Sequence, residues 1–311
     1  MFDCKRENKN FPREEKQNPK NVVYIRNTMC YTVDVFAPAQ RARRKERDIT
    51  MPIYDCHAHI YPEKIAAKAV EGVGHFYGIR MDCPSGTAET LLAIGDEAGI
   101  DRFLVHSVAT QARQVESINN FLAETVAKEP RFIGFGTMHA DYEHKADELE
   151  RIVEMGLRGI KIHPDSQLYA VDDPRMFELY DALQGRYPIL VHCGDYRYDF
   201  DNPERVRKVL DLFPRLTFIA AHFGGWSLAD LALEYLKDAK CYFDCSSSMM
   251  YLGPKRSAQL IREYGAERFL FGSDYPMWSP KDELERFRAL DITEEEKEMI
   301  LSKNPEIVLQ L

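Results

Sequence analysis

The chain has 311 residues, of which 45% are hydrophobic and 11% aromatic, enough to bury a large core in one large or two small domains. Residues 1–50 contain 12 Lys and Arg against 7 Asp and Glu, a balance of +5, so the net charge of −9 leaves −14 on residues 51–311. An acidic body argues against nucleic acid as the main partner, because phosphate binding requires a basic face.

The sequence gives no sign of a membrane or secretory destination. It has neither a secretory hydrophobic segment nor an apolar stretch of membrane-spanning length. The seven cysteines are odd in number and scattered, so we expect a cytoplasmic protein with reduced thiols and no membrane partner. Cys241 and Cys245 are more typical of a pair of strand residues than of a ligand pair.

The first fifty residues differ in composition from the rest of the chain. They are polar and charged without a hydrophobic period, and residues 41–45 form a basic cluster. This composition predicts a disordered extension at 1–50, followed by one structured domain at 51–311. Because the regular pattern starts directly after Met51, an alternative is that translation begins there, and the intact mass of the natively expressed protein tests this.

From Met51 onward, short β-branched or aromatic runs alternate with longer segments of helical spacing. The predicted strands are 53–59, 103–107, 132–138, 159–163, 189–192, 216–222, 242–245 and 268–272. The predicted helices are 89–98, 115–128, 143–155, 174–184, 203–213, 227–237, 255–265 and 281–290, with one or two short helices at 293–311. Strict alternation over the 261 residues of 51–311 predicts an α/β fold, a parallel (β/α)8 TIM barrel with right-handed crossovers. A doubly wound open sheet is the alternative, but His57 and His59 stand where its glycine-rich turn normally follows the first strand.

Four predicted strands end in histidine or aspartate side chains, where barrel enzymes place their chemistry. The four runs are Asp55-Cys56-His57-Ala58-His59, Leu190-Val191-His192-Cys193-Gly194, Ala220-Ala221-His222-Phe223-Gly224 and Leu270-Phe271-Gly272-Ser273-Asp274. Residues two apart on a strand face the same side, so Asp55, His57 and His59 are predicted to point together. If that side is the barrel interior, both histidines reach one metal ion, which His192 and Asp274 complete. A hydrogen bond in the core would explain any single histidine better, but the joint pattern favours a metal site.

The residue types indicate the ion and its chemistry. Three imidazoles and one carboxylate suit one Zn²⁺ ion, with Mn²⁺ as the alternative, and leave a position for water. The pKa of such a bound water drops to roughly 7, so hydroxide is available at neutral pH. His222, at the end of the sixth predicted strand, is predicted to orient or deprotonate that water.

These runs resemble the amidohydrolase superfamily, in particular the amidohydrolase-related branch that includes aminocarboxymuconate semialdehyde decarboxylase. The matching runs are Asp55-Cys56-His57-Ala58-His59, Gly159-Ile160-Lys161-Ile162-His163-Pro164, Val191-His192-Cys193-Gly194, Ala221-His222-Phe223-Gly224-Gly225 and Phe271-Gly272-Ser273-Asp274-Tyr275-Pro276. The resemblance implies the same four metal ligands, a water-polarising role for His222, and proton shuttling by Asp274 in addition to metal binding.

Lys161 lies near the position at which binuclear members of that superfamily carry a carboxylated lysine. Three roles are open for it. It binds a substrate carboxylate or contacts the metal-site residues, it bridges a second metal ion as a carbamate, or it points outward and has only a structural role. His163 is two residues further on, shares its strand face, and is a candidate substrate-binding residue beside it. Metal stoichiometry distinguishes the roles, since one ion per chain fits the mononuclear interpretation and two the binuclear one.

The loops after the strands are expected to select the substrate. Arg197 is flanked by aromatic residues, which suits a planar or carboxylated molecule because guanidinium pairs with carboxylate and stacks on rings; an ordinary surface ion pair is the alternative. Trp278, after the eighth predicted strand, is a further candidate for substrate binding.

Three function classes follow from this pattern. The first is metal-dependent hydrolysis of a small, carboxylate-bearing organic molecule by a metal-bound hydroxide. The second keeps the same site but performs non-oxidative decarboxylation, and the third is a barrel without catalysis. The third is disfavoured, because all five metal-site and water-site residues are present. We also expect a homodimer, which is the commonest assembly.

Overall fold

The computed structural model describes residues 51–311, so the extension predicted at 1–50 and the alternative start lie outside the described residues. The strands are β1 (Tyr54–His59), β2 (Arg102–His106), β3 (Phe132–Gly134), β4 (Gly136–Thr137), β5 (Ile160–Ile162), β6 (Ile189–Val191), β7 (Phe218–Ala220), β8 (Tyr242–Asp244) and β9 (Phe269–Leu270). The helices are α1 (Glu63–Tyr77), α2 (Ala88–Ala98), α3 (Val115–Lys128), α4 (Lys145–Glu154), α5 (Pro164–Gln167), α6 (Phe177–Leu183), α7 (Pro203–Leu212), α8 (Ala229–Leu236), α9 (Met249–Tyr264), α10 (Pro280–Arg288), α11 (Glu294–Glu298) and α12 (Asn304–Val308), with a π-helical turn at Met299–Lys303. Within this range, no helix is long and apolar enough to cross a membrane.

The strands form a closed parallel barrel. β1, β2 and β3 pair in order, as do β4 to β9, and β3 and β4 are two halves of one strand that is interrupted at Phe135. Backbone bonds from Phe135 N to Val105 O (3.0 Å) and from Gly136 N to Gly159 O (2.9 Å) join the two sheets. The Cys56 N–H donates to Phe271 O at 2.7 Å and closes the ring between β1 and β9. The predicted TIM barrel is therefore confirmed, and the open sheet is excluded.

The lower half of the barrel is filled with apolar side chains. Tyr54, Cys56, Leu190 and others form an interior cluster, and Val308 of α12 packs against it from the C-terminal tail. Full burial of each such side chain stabilises the fold by about 1.5–3 kcal/mol. Because this half is dry and packed, polar groups that point inward have room only at the carboxyl ends of the strands.

β1 departs from the predicted alternation. Tyr54 and Cys56 join the interior cluster, yet His57 and His59 reach the upper part of the barrel. The pairing of β1 with β2 is irregular between Asp55 and Ala58, and a bulge there shifts the side-chain phase by one residue. The prediction that Asp55 shares the direction of both histidines is wrong for this reason.

Two helical segments differ from the predicted pattern. The sequence analysis assigned no helix between β1 and α2, but α1 fills 15 residues there and ends at Gly78, whose φ of +67° favours glycine. The segment after β5, predicted as a loop, forms the short helix α5. The outer helices agree with the predicted positions within a few residues, as in α7, where the Asn202 side chain caps the first turn, except that α9 begins six residues before its predicted start and is kinked at Gly253.

Candidate metal centre

Three of the four predicted metal ligands meet at one point above the interior cluster. His57 Nε2 lies 3.4 Å and His59 Nε2 3.5 Å from the same oxygen, Asp274 Oδ1. The Asp274 backbone has a φ of +61°, and its N–H donates to His57 O at 2.8 Å, which fixes the turn after β9 against β1. Gly272 permits this approach, since a Cβ there would lie 2.7 Å from the Cβ of His57.

His192 and His222 lie on the other side of this point. His222 Nε2 is 3.1 Å from His192 Nδ1, and the rings of His222 and His57 stack with centroids 5.0 Å apart. The other ring nitrogen of His192, Nε2, is buried and has no hydrogen-bond partner among the described residues. All five residues predicted for the metal and the water therefore line one cavity at the carboxyl ends of the strands, where ligand atoms of His192 lie within 4.8 Å of those of His163 and Asp201, and those of His57 within 4.8 Å of those of His59.

Asp244, at the end of β8, connects the two halves of this cluster, and the sequence analysis missed it. Its Oδ2 lies 2.8 Å from His57 Nδ1, and its Oδ1 accepts hydrogen bonds from the backbone of His222 (3.0 Å) and of Ser246 (3.0 Å). The Ser246 hydroxyl also donates to Oδ1 at 2.6 Å. The sequence marks Asp244 only as a further carboxylate at the end of a predicted strand, between Cys241 and Cys245.

These contacts fix which ring nitrogens carry hydrogen. A carboxylate only accepts hydrogen bonds, so the nitrogen that faces Asp244 is protonated and His57 Nε2 keeps its lone pair towards Asp274. The Ser246 hydroxyl gives its hydrogen to Asp244 and accepts from His222 Nδ1 at 2.9 Å, which leaves a lone pair on His222 Nε2 as well. A carboxylate behind a histidine is the usual arrangement that prepares imidazole for a metal.

The electrostatics of the cluster follow from its burial. Burial lowers the pKa of His57 and of His59 well below the ordinary value, and the Lys161 charge adds to this. Burial also lowers the pKa of His222 to about 4, so these imidazoles are neutral at neutral pH. Burial raises the pKa of Asp274 to about 7, although the Lys161 charge opposes the shift, and lowers the pKa of Lys161 itself to about 8.

Lys161 and His163 both line the cavity above the cluster. Lys161 is fully buried on β5, with its Nζ 3.1 Å from His57 Nε2. His163 stacks on His192 with ring centroids 3.8 Å apart, and its Nε2 lies 2.7 Å from the Tyr77 hydroxyl. Both residues are therefore adjacent to the predicted metal ligands, in a position to contact a molecule in the cavity.

Arg197 and Trp278 do not line this cavity. The Arg197 guanidinium is paired with both oxygens of Asp195 and donates to Phe76 O at 2.6 Å, so no free edge is left for a substrate carboxylate. It also stacks 5.0 Å from the Phe76 ring. Trp278 donates from Nε1 to Ser247 Oγ at 2.9 Å and packs against Met81 and Met277, which line the cavity in its place. Arg197 therefore holds the C-terminal end of α1 in place.

This placement gives a first prediction. Replacing Arg197 with Gln removes the donor to Phe76 O and the stacking, so we expect the last turn of α1 to exchange its amide hydrogens at least about 10-fold faster, the equivalent of roughly 1.4 kcal/mol. Hydrogen exchange measured by mass spectrometry checks this, with Arg175→Gln, an exposed arginine also paired with aspartates, as the control. Unchanged exchange in α1 together with a large loss of substrate affinity would instead support the substrate role predicted from the sequence.

His106 is a further buried imidazole beside the cluster. Its ring lies edge-on to His59 with centroids 4.4 Å apart, and neither of its ring nitrogens has a hydrogen-bond partner among the described residues. Nitrogens of His57, His59 and His106 lie within 4.8 Å of one another. His106 therefore adds an unpaired imidazole to the same centre.

A cavity of about 590 Å³ opens above the cluster. Its floor holds the polar groups, and Lys161 is the only lysine or arginine of residues 51–311 that lines it. Its walls come largely from α1, the loop after β2 and the start of α3, with side chains such as Ile65, Val73, Ile118 and Phe121. An enclosed polar floor beneath apolar walls is the usual form of a small-molecule site.

The donors fit a divalent metal ion. Neutral imidazoles and a carboxylate are the ligand types that transition ions prefer. His57 Nε2, whose lone pair faces both Asp274 Oδ1 at 3.4 Å and the Lys161 ammonium at 3.1 Å, is one such donor. The buried His192 Nε2 has no hydrogen-bond partner among the described residues, with Asp165 Oδ2 3.9 Å away, and is a second donor.

The fold and the cluster together define a class, that of (β/α)8 barrels with a metal-type centre at the carboxyl ends of their strands. The model of the amidohydrolase family matches residues 54–311, so the chain belongs to the amidohydrolase family and is an enzyme of that superfamily. The resemblance inferred from the strand-end runs is thereby confirmed.

Solved structures with similar folds include three that cover 84% of this chain. An uncharacterised TIM-barrel protein from Bordetella bronchiseptica is 22% identical, with a TM-score of 0.69 and 99% of its own chain covered. The 5-carboxyvanillate decarboxylase of Sphingomonas paucimobilis is 18% identical, with a TM-score of 0.66 and 99% covered. A dihydroxybenzoic acid decarboxylase from Polaromonas sp., solved with bound manganese, is 18% identical, with a TM-score of 0.65 and 97% covered.

Proposed function

We propose that this enzyme removes carbon dioxide from a small organic carboxylate in a reaction that depends on one divalent metal ion. The strand-end residues alone favour hydrolysis by a metal-bound hydroxide, so decarboxylation takes the place of the predicted reaction. The observation that carries the proposal is the cavity: one buried cation, Lys161, lies on the floor beneath apolar walls. Such a site attracts a carboxylate, and the names of two structural neighbours, both decarboxylases, favour loss of carbon dioxide over hydrolysis.

The metal is held, in this proposal, by His57, His59, His192 and Asp274, with Asp244 behind His57. When bound, the ion supplies Lewis-acid polarisation of the substrate's oxygens. Zn²⁺ and Mn²⁺ both suit the donor set. Manganese in a structural neighbour that acts on dihydroxybenzoic acid makes Mn²⁺ the first ion to test.

Substrate binding depends on two residues of the cavity floor. Lys161 pairs with the substrate carboxylate, because its ammonium is buried and a partner charge there is not screened by water. His163 lies beside it, held by the Tyr77 hydroxyl, and contacts the same end of the substrate.

The proton that the reaction requires indicates the roles of Asp274 and His222. When the bond between the carboxyl group and the neighbouring carbon breaks, its electron pair stays on that carbon, which must gain one proton as carbon dioxide leaves. The Asp274 carboxyl group delivers this proton, and solvent reprotonates it before the next turnover. His222, fixed by Ser246, orients the polar groups of the substrate at the floor.

The experiment is a turnover assay in deuterated water with the Mn²⁺- or Zn²⁺-loaded protein and a panel of aromatic and dienoic carboxylates. We expect release of carbon dioxide and a product that carries one deuterium on the carbon that lost it. A product that takes up oxygen-18 from labelled water, with no carbon dioxide released, would make the enzyme a hydrolase and refute the proposal.

Lys161→Met is the matching variant. Loss of a buried charge partner costs about 2–4 kcal/mol, so we expect kcat/KM to fall by roughly 30- to 1,000-fold with metal content retained. Lys208→Met, at an exposed lysine of α7, serves as the control and should behave like the wild type. Loss of metal in step with activity would instead favour a lysine that bridges metal ions.

A further inference from the structure

We propose that the substrate is amphiphilic, with an extended apolar portion that leaves the barrel along the groove between α1 and α3. The inference rests on the proposed function for the carboxylate end and names the substrate class for the rest. It starts from size: about 590 Å³ lies in the range of pockets that enclose drug-sized molecules, roughly 300–1,000 Å³. A one-ring acid on the floor would leave most of the apolar wall against water.

The helix α1 has two apolar faces. Ala66, Val70 and Gly74 are buried against the body of the barrel. Ile65, Ala69 and Gly72 follow at spacings of four and three residues, so they form a separate stripe, and all three line the cavity. An amphipathic surface helix normally needs only the first face.

The second face of α1 is built for a ligand. Ile65 lines the cavity and is 52% exposed, so about half of this large apolar residue is left uncovered by the protein. Two of the three stripe residues are small, and a Cβ added at Gly72 would have no heavy atom within 4 Å. Ala69 and Gly72 therefore leave open space along this face of the helix.

The opposite wall matches this face. Ile118 and Phe121 of α3 lie three residues apart on one side of that helix, line the same cavity and are only partly buried. The groove between the helices is continuous with the floor that holds Lys161. Because the apolar groove runs into the floor that holds Lys161, one molecule with an anionic end and an apolar end would fill both.

The chemical class is therefore an aryl or alkenyl carboxylate that carries a hydrocarbon substituent of several carbons. The substituent adds binding energy remote from the bond that breaks, because each buried methylene contributes independently of the floor. Small residues at Ala69 and Gly72 determine how long the substituent can be.

The test uses inert acids, so it does not depend on turnover. Benzoate, 4-butylbenzoate and 4-octylbenzoate are titrated by calorimetry into the full-length protein loaded with Mn²⁺. We expect the affinity to rise by about 2- to 4-fold per methylene over the first several carbons. Equal affinities for the three acids would overturn the inference and leave the decarboxylase assignment untouched. Absence of carbon dioxide release from every acid tested, with affinities that still rise with chain length, would refute the decarboxylase assignment and leave the amphiphilic ligand standing.

Matched variants locate the substituent. Ala69→Phe places a ring in the groove, and Ala67→Phe places the same ring on the exposed side of α1. We expect the first to weaken 4-octylbenzoate at least 10-fold while benzoate changes less than 2-fold, and the second to change neither. Equal effects of both variants would overturn the inference. A dimer that closes the groove would also overturn it, and light scattering would then show that long-chain acids dissociate the dimer.

Discussion

The variant Asp274→Asn is expected to lose catalysis by about 100- to 10,000-fold while it keeps its fold. General acid–base catalysis by a positioned side chain contributes this range, and asparagine has the same shape but cannot deliver the proton. Asp274 Oδ1 is also the atom towards which His57 and His59 converge, so a weaker metal site adds to the loss. The measurements are kcat with the best substrate of the panel, metal content and thermal unfolding.

Asp282→Asn is the control for this prediction, because it removes one exposed carboxylate from the neighbouring helix α10 and leaves the cluster intact. It should retain wild-type turnover. Near-normal turnover in Asp274→Asn, with metal still bound, would show that another group supplies the proton.

The variant Asp244→Asn is expected to weaken metal binding by about 10- to 100-fold, although the residue does not face the cavity. Asp244 Oδ1 accepts three hydrogen bonds, so the asparagine oxygen must take that side and its amide must face His57 Nδ1. An amide there donates, which forces the hydrogen of His57 onto Nε2 and removes the lone pair that faces Asp274.

Metal titration followed by calorimetry measures this effect, and the free energy of unfolding of the metal-free protein should also fall by about 2–4 kcal/mol, since a buried charged acceptor is lost. Ser246→Ala is the comparison, because it removes the hydroxyl between His222 and Asp244 but keeps the bond to His57. It should lower turnover more than metal affinity. Unchanged metal affinity in Asp244→Asn would mean that His57 does not bind through Nε2.

Asp244 and helix α1 are two features of the site that the sequence does not predict. Asp244 lies 187 residues from His57, and nothing local distinguishes it from other strand-end aspartates. Helix α1 has glycines at 72 and 74, which weaken its helical pattern in isolation, and it is stabilised by packing against the barrel. Tertiary contacts outweighed propensity there, so the wall of the cavity emerged only from the fold.

The sequence by itself determined the barrel and the central residues, because alternation of strands and helices constrains topology and strand ends of a parallel barrel converge at one face. His57, His59, His192, His222 and Asp274 were identified for that reason. Only the tertiary structure decided the directions of individual side chains. The bulge in β1 turned Asp55 away from the histidines, and Asp195 already pairs with Arg197, which fastens α1 instead of facing the cavity. Such orientations depend on contacts between residues far apart in sequence, and a periodic pattern of hydrophobic residues does not predict those contacts.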